Sequence, residues 1–328
     1  MTRSVIRTIE APSTSYCNPV HPSYFADPFV MEAPESGSRY VAIGTGGTVD
    51  GLAFEVLVSD DLITWRLVGG ALVPPVGIGG TLWAPEVAHA DGRWWMYYSC
   101  GEGDAGHHLR VAVSDAPTGP YIDQGVDLTP AERFAIDPHP FRDSDGQWYL
   151  FFARDVLEGE RVGTMLAVDR LSSMDRLEGA ATTILAPSDD WQIFRRDREM
   201  YGRRLDWHTL EGPFVRRRGD TYWCFYSGGS WLEPGYGVAV ASASHPLGPW
   251  SQVPAGKPLL RTVPGRVIGP GHNSVVTAPS GQDVIVYHAW DVAQTARRLC
   301  IDPIVWGDEG PLVCGPTWEA TDLDRCRD

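Results

Sequence analysis

One pattern recurs five times along this chain of 328 residues and constrains its fold more than any other feature. Each copy reads as a short strand, a tight turn with Asp-Gly or Gly, an aromatic and β-branched strand, a loop, a further strand and a closing turn. Asp-Gly between two apolar runs is a strong signal for a β-hairpin. The five copies open at Ala26, Trp83, Ile136, Glu211 and Gly271.

Such a repeat is typical of propeller blades, which contain roughly four short strands each. Long helical periodicity is absent from the sequence. We therefore predict an all-β fold, a five-bladed β-propeller, as a single catalytic domain that spans residues 1–328. A β-sandwich or two all-β domains are the alternatives. No linker rich in Pro, Gly and Ser divides the chain, which favours the propeller.

The formal net charge of −15 restricts the class of ligand. Nucleic acid requires a basic face, so the charge argues against it, and it argues equally against an anionic membrane surface. No apolar run is long enough to span a bilayer. We expect a neutral or cationic ligand. Aromatic faces suit sugar rings, although most of the 13 Trp, 12 Tyr and 10 Phe are expected in the core.

The six cysteines do not form a CxxC or metal-spaced pair. The N-terminal segment 1–13 contains Arg3 and Arg7 but no apolar signal-peptide core. We predict a cytoplasmic protein with reduced thiols. A secreted form whose leader has been removed is the alternative, and the oligomeric state is left open.

Acidic residues at the openings of the repeats are the candidates for catalysis. The first strand of each propeller blade lines the central channel, so the openings converge at one end of it. Asp27, Asp137 and Glu211 are the channel-side carboxylates, and Glu86 is a weaker candidate. Glu211 sits one residue off the register that the prolines define. Its apolar neighbours, among them Trp207, are expected to raise its pKa and suit it to act as a general acid.

Three carboxylates around one opening suit glycoside hydrolysis, and a separation of about 6.5–9.5 Å between base and acid gives inversion. One ionised carboxylate activates a water molecule, and one protonated carboxyl serves the leaving oxygen. A third carboxylate nearby raises the pKa of the acid by like-charge repulsion.

Residues 182–210 form an insertion before the fourth copy. It contains Arg195, Arg196, Arg198, Arg203 and Arg204 together with Asp197 and Glu199. We interpret it as a solvated, salt-bridged rim. The alternative is a wall of a ligand cleft, since long loops are often functional.

A set of motifs in fixed order covers nearly the whole chain: Asn18-Pro19-Val20, Ala26-Asp27-Pro28-Phe29-Val30, Trp83-Ala84-Pro85-Glu86-Val87, Ile136-Asp137-Pro138, Glu211-Gly212-Pro213 and Gly271-His272-Asn273-Ser274. Together they resemble glycoside hydrolase family 43. The resemblance implies a five-bladed propeller that acts by inversion on arabinose- or xylose-containing glycans. It implies Asp27 as general base, Asp137 as the residue that tunes pKa and orients, and Glu211 as general acid.

Further positions follow from the same resemblance. Arg297 looks like the arginine near the acid pair, with Arg298 as the substitute if the register is off. His272 looks like the channel histidine that faces a calcium ion or water, although a lone histidine is more often simply hydrogen-bonded. Trp83 is the candidate sugar platform, with a core position as the alternative, and His208 is expected to line the same pocket. No cofactor is expected to be required. A structural Ca²⁺ in the central channel would be carried mostly by waters.

The function expected on this basis is an inverting, exo-acting hydrolase that releases L-arabinofuranose from oligosaccharides derived from arabinan or arabinoxylan. No appended module is visible, which favours short oligosaccharides. A β-xylosidase of the same family and a non-catalytic sugar-binding propeller are alternatives. A retaining fructosidase would have an Asn-Asp-Pro-Asn-like opening and an Arg-Asp-Pro, whereas Arg142-Asp143 is followed by Ser144.

Overall fold

In a computed structural model, residues 14–325, apart from 79, 104 and 254–257, form successive sheets in which most neighbouring strands are antiparallel. Helical structure in these residues is confined to two single 3-10 turns, Pro34–Ser36 and Asp190–Gln192. No helix in the described part of the chain has the length and apolarity needed to cross a lipid bilayer.

The strands follow the chain in the order of the repeats. A short strand, β1 (Ser15–Tyr16), comes first. Blade 1 contains β2 (Ala26–Glu32), β3 (Tyr40–Val49), β4 (Leu52–Ser59) and β5 (Arg66–Val73). Blade 2 contains β6 (Thr81–Ala90), β7 (Arg93–Glu102), β8 (Ala105–Ser114) and β9 (Tyr121–Asp127). Blade 3 contains β10 (Ala135–Arg142), β11 (Trp148–Val156), β12 (Gly163–Ser173) and the short β13 (Arg176–Leu177) and β14 (Thr182–Leu185).

A long hairpin then leads into the fourth blade. Its first strand is β15 (Ile193–Met200), and its second is the start of β16 (Arg203–Arg218). Blade 4 contains the rest of β16 with β17 (Thr221–Gly228), β18 (Gly237–Ala243) and β19 (Ser251–Val253). Blade 5 contains β20 (Ile268–Thr277), β21 (Asp283–Trp290), β22 (Arg297–Gly307) and β23 (Gly310–Val313), and β24 (Thr321–Asp322) follows.

The innermost strands of the five blades form a closed ring. β2 contacts β6, β6 contacts β10, β10 contacts β16, β16 contacts β20, and β20 contacts β2. Each blade packs against a neighbour on both faces, so consecutive residues such as Leu150, Phe151 and Phe152 are all fully buried. β1 pairs with β24 and joins the two ends of the described chain. The prediction of an all-β, five-bladed propeller is confirmed.

Each innermost strand contains a β-bulge, and one residue of each bulge has a left-handed backbone conformation. These residues are Asp27 (φ 49°), Ala84 (φ 48°), Asp137 (φ 59°), Gly212 (φ 56°) and His272 (φ 44°). Four of their N–H groups donate to a side chain on the second strand of the preceding blade. Ala84 donates to Thr45 Oγ1, Asp137 to Ser99 Oγ, His272 to Ser227 Oγ and Asp27 to His288 Nδ1.

Blade 3 departs from this rule, and the departure shapes the site. Ala153 pairs with Ile136 as Ser99 pairs with Trp83, but an alanine side chain offers no acceptor. The Gly212 N–H donates instead to Asp137 Oδ2, at 2.8 Å. A left-handed conformation costs a residue other than glycine about 1–3 kcal/mol, so it persists only where the surroundings hold it.

The cysteines differ in state. Cys17, Cys100, Cys224 and Cys300 are free. Cys314 is disulfide-bonded, and its partner lies outside the described residues. The expectation of reduced thiols is therefore wrong for Cys314.

Candidate active site

A cavity of about 290 Å³ opens where the bulges converge at one end of the channel. Its charged lining residues are Asp27, Asp137, Asp155, Arg198, Glu211 and Arg297. Its aromatic lining residues are Tyr24, Trp83, Phe134, Phe194, Trp207 and Trp231. Aromatic walls with a few convergent polar groups are typical of small-molecule sites.

The three carboxylates singled out from the sequence all line this cavity. Asp27 and Asp137 occupy the bulge positions of blades 1 and 3, whereas Glu211 comes one residue before the bulge of blade 4. The offset seen in the sequence is therefore real. Glycine suits position 212, because its φ is positive and a Cβ atom would make a tight contact of 3.2 Å with the His272 ring.

Asp27 is surrounded by nitrogen atoms. Its Oδ1 lies 3.3 Å from Arg297 Nη1 and 3.5 Å from His272 Nδ1. Arg297 also donates to the Tyr24 hydroxyl at 2.6 Å, and its guanidinium carbon lies 4.5 Å from the centre of the Trp231 ring. Burial alone would raise the pKa of Asp27, but the Arg297 charge and the histidines outweigh it and hold that pKa well below its usual range. Asp27 is thus ionised at neutral pH.

Glu211 has the opposite environment. Burial and the Asp27 charge raise its pKa to about 7, against a hydrogen bond from the Tyr236 hydroxyl to Oε1 and the attraction of Arg297. Burial, Glu211 and Asp27 likewise raise the pKa of Asp137, which the Gly212 N–H opposes. The Asp137–Glu211 pair therefore retains a proton near neutral pH, because two adjacent buried carboxylates resist ionising together.

His272 lies between the aspartates, with Nδ1 3.5 Å from Asp27 Oδ1 and 3.8 Å from Asp137 Oδ2. Burial lowers its pKa more than Asp27 raises it, so the ring is neutral. Calcium prefers six to eight oxygen ligands. No group of three or more His, Cys, Asp or Glu within the described residues is arranged to hold a metal ion. A calcium ion carried mostly by waters stays a prediction of the family resemblance, and no step is routed through one.

Trp83 lines the cavity as expected of a sugar platform. Its ring stacks on the fully buried His107, with centroids 3.7 Å apart and planes 16° apart. His107 Nε2 lies 3.2 Å from Thr81 Oγ1, and its ring meets Phe134 edge-on. His107 thus covers one face of the Trp83 indole, while the Trp83 ring still borders the cavity.

His208 does not line the cavity, contrary to the expectation from the sequence. Its Nε2 lies 3.2 Å from Arg161 Nη1, and its Nδ1 lies 3.3 Å from the Val162 carbonyl oxygen. Side chains alternate along β16, so Trp207, Thr209 and Glu211 line the cavity while His208 faces away. This alternation was the available signal for Trp207 and Thr209.

Two other candidates also lie outside the cavity lining. Glu86 is buried and contacts His139 Nδ1 at 2.6 Å, while His139 Nε2 accepts the Val215 N–H at 3.0 Å. Arg298 pairs with Asp291 at 2.8 Å, so Arg297 and not Arg298 is the arginine of the site. Glu86 therefore serves to join blades 2 and 3.

The insertion combines both interpretations made from the sequence. Arg196 is exposed and bridges Asp206 at 2.9 Å, as a salt-bridged rim requires. Phe194, Arg198 and Met200 instead line the cavity, so the hairpin of β15 and β16 also forms its wall. Nothing in the sequence separates the inward arginine from its neighbours, because bulges in β15 set the direction of each side chain.

Comparison with known proteins gives a consistent picture. The family model described as "Glycosyl hydrolases family 43" matches residues 16–312. A β-D-galactofuranosidase of Aspergillus niger is 29% identical, over 92% of this chain and 85% of its own length. An extracellular exo-α-(1→5)-L-arabinofuranosidase of Streptomyces avermitilis is 23% identical, over 92% of this chain and 63% of its own length.

Solved structures show the same similarity. A thermostable family-43 glycoside hydrolase has a TM-score of 0.79 and 30% identity, over 93% of this chain and 97% of its own. An endo-1,4-β-xylanase from Bacteroides thetaiotaomicron has a TM-score of 0.75 and 27% identity, over 92% of this chain and 98% of its own. Several curated relatives are named extracellular, and none of these findings supports the cytoplasmic expectation.

Proposed function

Since the chain belongs to family 43 of the glycosyl hydrolases, and is therefore a glycoside hydrolase, we propose that it is an inverting, exo-acting α-L-arabinofuranosidase. The observation that supports this is the contrast within one cavity between an ionised Asp27 and a Glu211 whose pKa is raised to about 7. An inverting mechanism needs one carboxyl group in each state. The substrates are short oligosaccharides derived from arabinan or arabinoxylan.

Asp27 acts as the general base. Arg297 keeps it ionised, and its carboxylate takes a proton from the water that attacks the anomeric carbon. Glu211 acts as the general acid and donates its proton to the departing oxygen. Water adds on the face opposite the leaving group, so a single displacement inverts the anomeric configuration.

Asp137 acts on Glu211 and on the backbone next to it. The two carboxyls share the retained proton, and like-charge repulsion from an ionised Asp137 favours the state with the proton on Glu211. Asp137 Oδ2 also accepts the N–H of Gly212, next in sequence to the acid. Tyr236 fixes one oxygen of Glu211 by a hydrogen bond of 2.6 Å. Trp83, supported by His107, offers an aromatic face to the apolar C–H face of the sugar.

The furanose ring is suggested by the names of the relatives. Several are exo-acting arabinofuranosidases, and the relative at 29% identity is a galactofuranosidase. A β-xylosidase remains the second candidate, because a curated xylan 1,3-β-xylosidase from Vibrio also matches, at 24% identity.

We place the enzyme outside the cytoplasm. Disulfides persist in oxidising compartments, and Cys314 is disulfide-bonded. Relatives named extracellular support the same location. Fractionation of the native host, with activity in the cytosolic fraction alone, would contradict this placement.

The test is nitrophenol release from aryl α-L-arabinofuranoside, β-D-galactofuranoside and β-D-xyloside, with NMR of the first-formed anomer. We expect the arabinofuranoside to be cleaved fastest and to yield the inverted sugar. Release of the retained anomer would exclude the inverting mechanism. Sugar binding without release from any of the three would support a sugar-binding propeller instead.

A further inference from the structure

The hairpin wall contains a charged pair that the proposed mechanism does not use. Asp155, from β11, and Arg198, from β15, both line the cavity. Asp155 Oδ1 accepts a hydrogen bond from Thr164 Oγ1 at 2.9 Å, and Oδ2 accepts one from the Tyr201 hydroxyl at 2.7 Å. Burial raises the pKa of Asp155, and these two hydrogen bonds and the Arg198 charge oppose the rise.

Arg198 rests on aromatic rings. Its guanidinium carbon lies 4.8 Å from the centre of the Phe194 ring and 5.6 Å from that of Trp207. It is partly buried, whereas Arg195 and Arg196 on the same strand are exposed. A planar guanidinium stacked on aromatic faces has its donors oriented in advance, which suits directional hydrogen bonding.

The turn of the hairpin fixes the position of the pair. Tyr201, at the turn, contacts Asp155 through its hydroxyl, and its ring lies 6.0 Å from that of Trp207. Arg203 Nη1 donates to the Leu157 carbonyl oxygen at 3.4 Å. The hairpin is therefore attached to blade 3, and Asp155 is held in place by donors on two elements.

The pair lies on the side of the cavity that β16 itself builds. Trp207, under the Arg198 guanidinium, comes four residues before Glu211 on the same strand. The charged groups that act on Glu211 itself include Asp27 and Arg297. The general acid faces the departing oxygen, so the departing group occupies the side of the bond toward the acid.

We propose that Asp155 and Arg198 form a leaving-group subsite that binds two hydroxyls of the neutral sugar released from the oxygen protonated by Glu211. This inference rests on the proposed function. The carboxylate accepts from one hydroxyl while the guanidinium donates to its neighbour, and Phe194 and Trp207 face the C–H bonds. A neutral sugar supplies both partners, a hydroxyl that donates to Asp155 and a hydroxyl that accepts from Arg198, and it leaves the attraction between the two side chains undisturbed.

The experiment compares two leaving groups on one glycone. Arg198→Ala and Asp155→Asn are assayed on α-1,5-linked arabinotriose and on 4-nitrophenyl α-L-arabinofuranoside. Arg198→Ala loses a hydrogen bond from a charged group and lowers kcat/KM for the trisaccharide by about 10- to 100-fold. Asp155→Asn keeps an acceptor oxygen but loses its charge, so it lowers the same kcat/KM by less. The aryl glycoside lacks those hydroxyls, so its kcat/KM changes far less, and the ratio of the two substrates is the readout.

Two further variants separate binding from folding. Arg204→Ala is the matched control, because Arg204 is an exposed arginine of the same hairpin that pairs only loosely with Glu199, at 3.7 Å. We expect Arg204→Ala to leave kcat/KM for both substrates unchanged. Tyr201→Phe removes one donor to Asp155 and keeps Arg198, so it lowers the trisaccharide rate in the same direction but less. Thermal melts of all variants establish that each is folded.

The outcomes are distinct. Equal losses on both substrates in folded Arg198→Ala and Asp155→Asn would overturn the subsite and leave the proposed function standing. A wild-type enzyme that cleaves neither substrate would overturn the proposed function itself. Faster cleavage of an otherwise matched substrate with a uronate leaving group would overturn the assignment of a neutral sugar.

Discussion

The hydroxyl of Tyr236 donates a 2.6 Å hydrogen bond to Oε1 of Glu211, and only a glycine at position 271 leaves room for it. A Cβ atom on Gly271 would lie 1.9 Å from Cε1 of the Tyr236 ring. The hydrogen bond favours the ionised acid and so lowers its pKa. Burial and this tyrosine are thus the two largest influences on the pKa of Glu211, and they oppose each other.

Tyr236→Phe is expected to move the alkaline limb of the pH–rate profile upward. The acid works only while protonated, so activity falls as pH rises through its pKa, and loss of the hydrogen bond raises that pKa. The profile of kcat against pH checks this. Gly271→Ala, which displaces the ring, should shift the limb the same way. A limb that stays fixed in a folded Tyr236→Phe would show that the bond does not act on the acid.

Glu211→Gln is expected to separate substrates by leaving group. General acid catalysis contributes about 10²- to 10⁴-fold, and a poor leaving group depends on it most. Oligosaccharides should lose most of that factor, while 2,4-dinitrophenyl glycosides should retain far more of their rate. The comparison of kcat/KM on the two substrates is decisive, and an equal loss on both would remove Glu211 from the acid role.

Asp27→Asn is expected to abolish turnover of both kinds of substrate. The attacking water then has no base, and the quality of the leaving group cannot compensate. Rates on oligosaccharide and activated aryl glycoside provide the measurement. Azide, which needs no deprotonation, should restore turnover of the activated substrate in Asp27→Asn. If azide fails to restore it, and Asp27→Asn shows the same dependence on leaving group as Glu211→Gln, the assignment of Asp27 as the base is wrong.

Arg297→Gln is expected to move the acidic limb of the profile upward. Arg297 holds the pKa of Asp27 low, so its loss raises that pKa, and the base is then ionised only at higher pH. The rate should fall at pH 5 and recover in part toward pH 7. Arg298→Gln, which loses only the contact with Asp291, is the control and should leave the limb in place.

Asp137→Asn is expected to move the alkaline limb downward. The amide oxygen can still accept the Gly212 N–H, but the negative charge that favours a protonated Glu211 is gone. The pKa of Glu211 then falls, and activity is lost at a lower pH. Asp137→Ala also removes the acceptor, so it should reduce kcat further than Asp137→Asn does. Identical profiles for the two variants would mean that the contact with Gly212 is immaterial.

The sequence predicts the ring and the meeting of Asp27, Asp137 and Glu211, because the repeat marks where each innermost strand begins. It misplaces His208, because β16 begins at Arg203 rather than at Glu211, and alternation along the longer strand then turns His208 away. Proximity in the sequence to a catalytic residue was the wrong criterion there.

The environment of the acid and base could not be predicted in the same way. Tyr236 reaches Glu211 from a loop beyond β17, and Arg297 reaches Asp27 across 270 positions. Only the three-dimensional closure of the ring brings these groups together. Arg198 is a similar case, because its inward direction depends on bulges in β15 that no residue type in the segment signals.

The first and last blades share the positioning of the base, because the Asp27 N–H is bound by His288, 261 residues later in the chain. The fifth blade therefore has to be synthesised before Asp27, near the start of the chain, can reach its final position. Catalytic competence thus requires the fifth blade, so a product truncated before that blade would be inert rather than partly active.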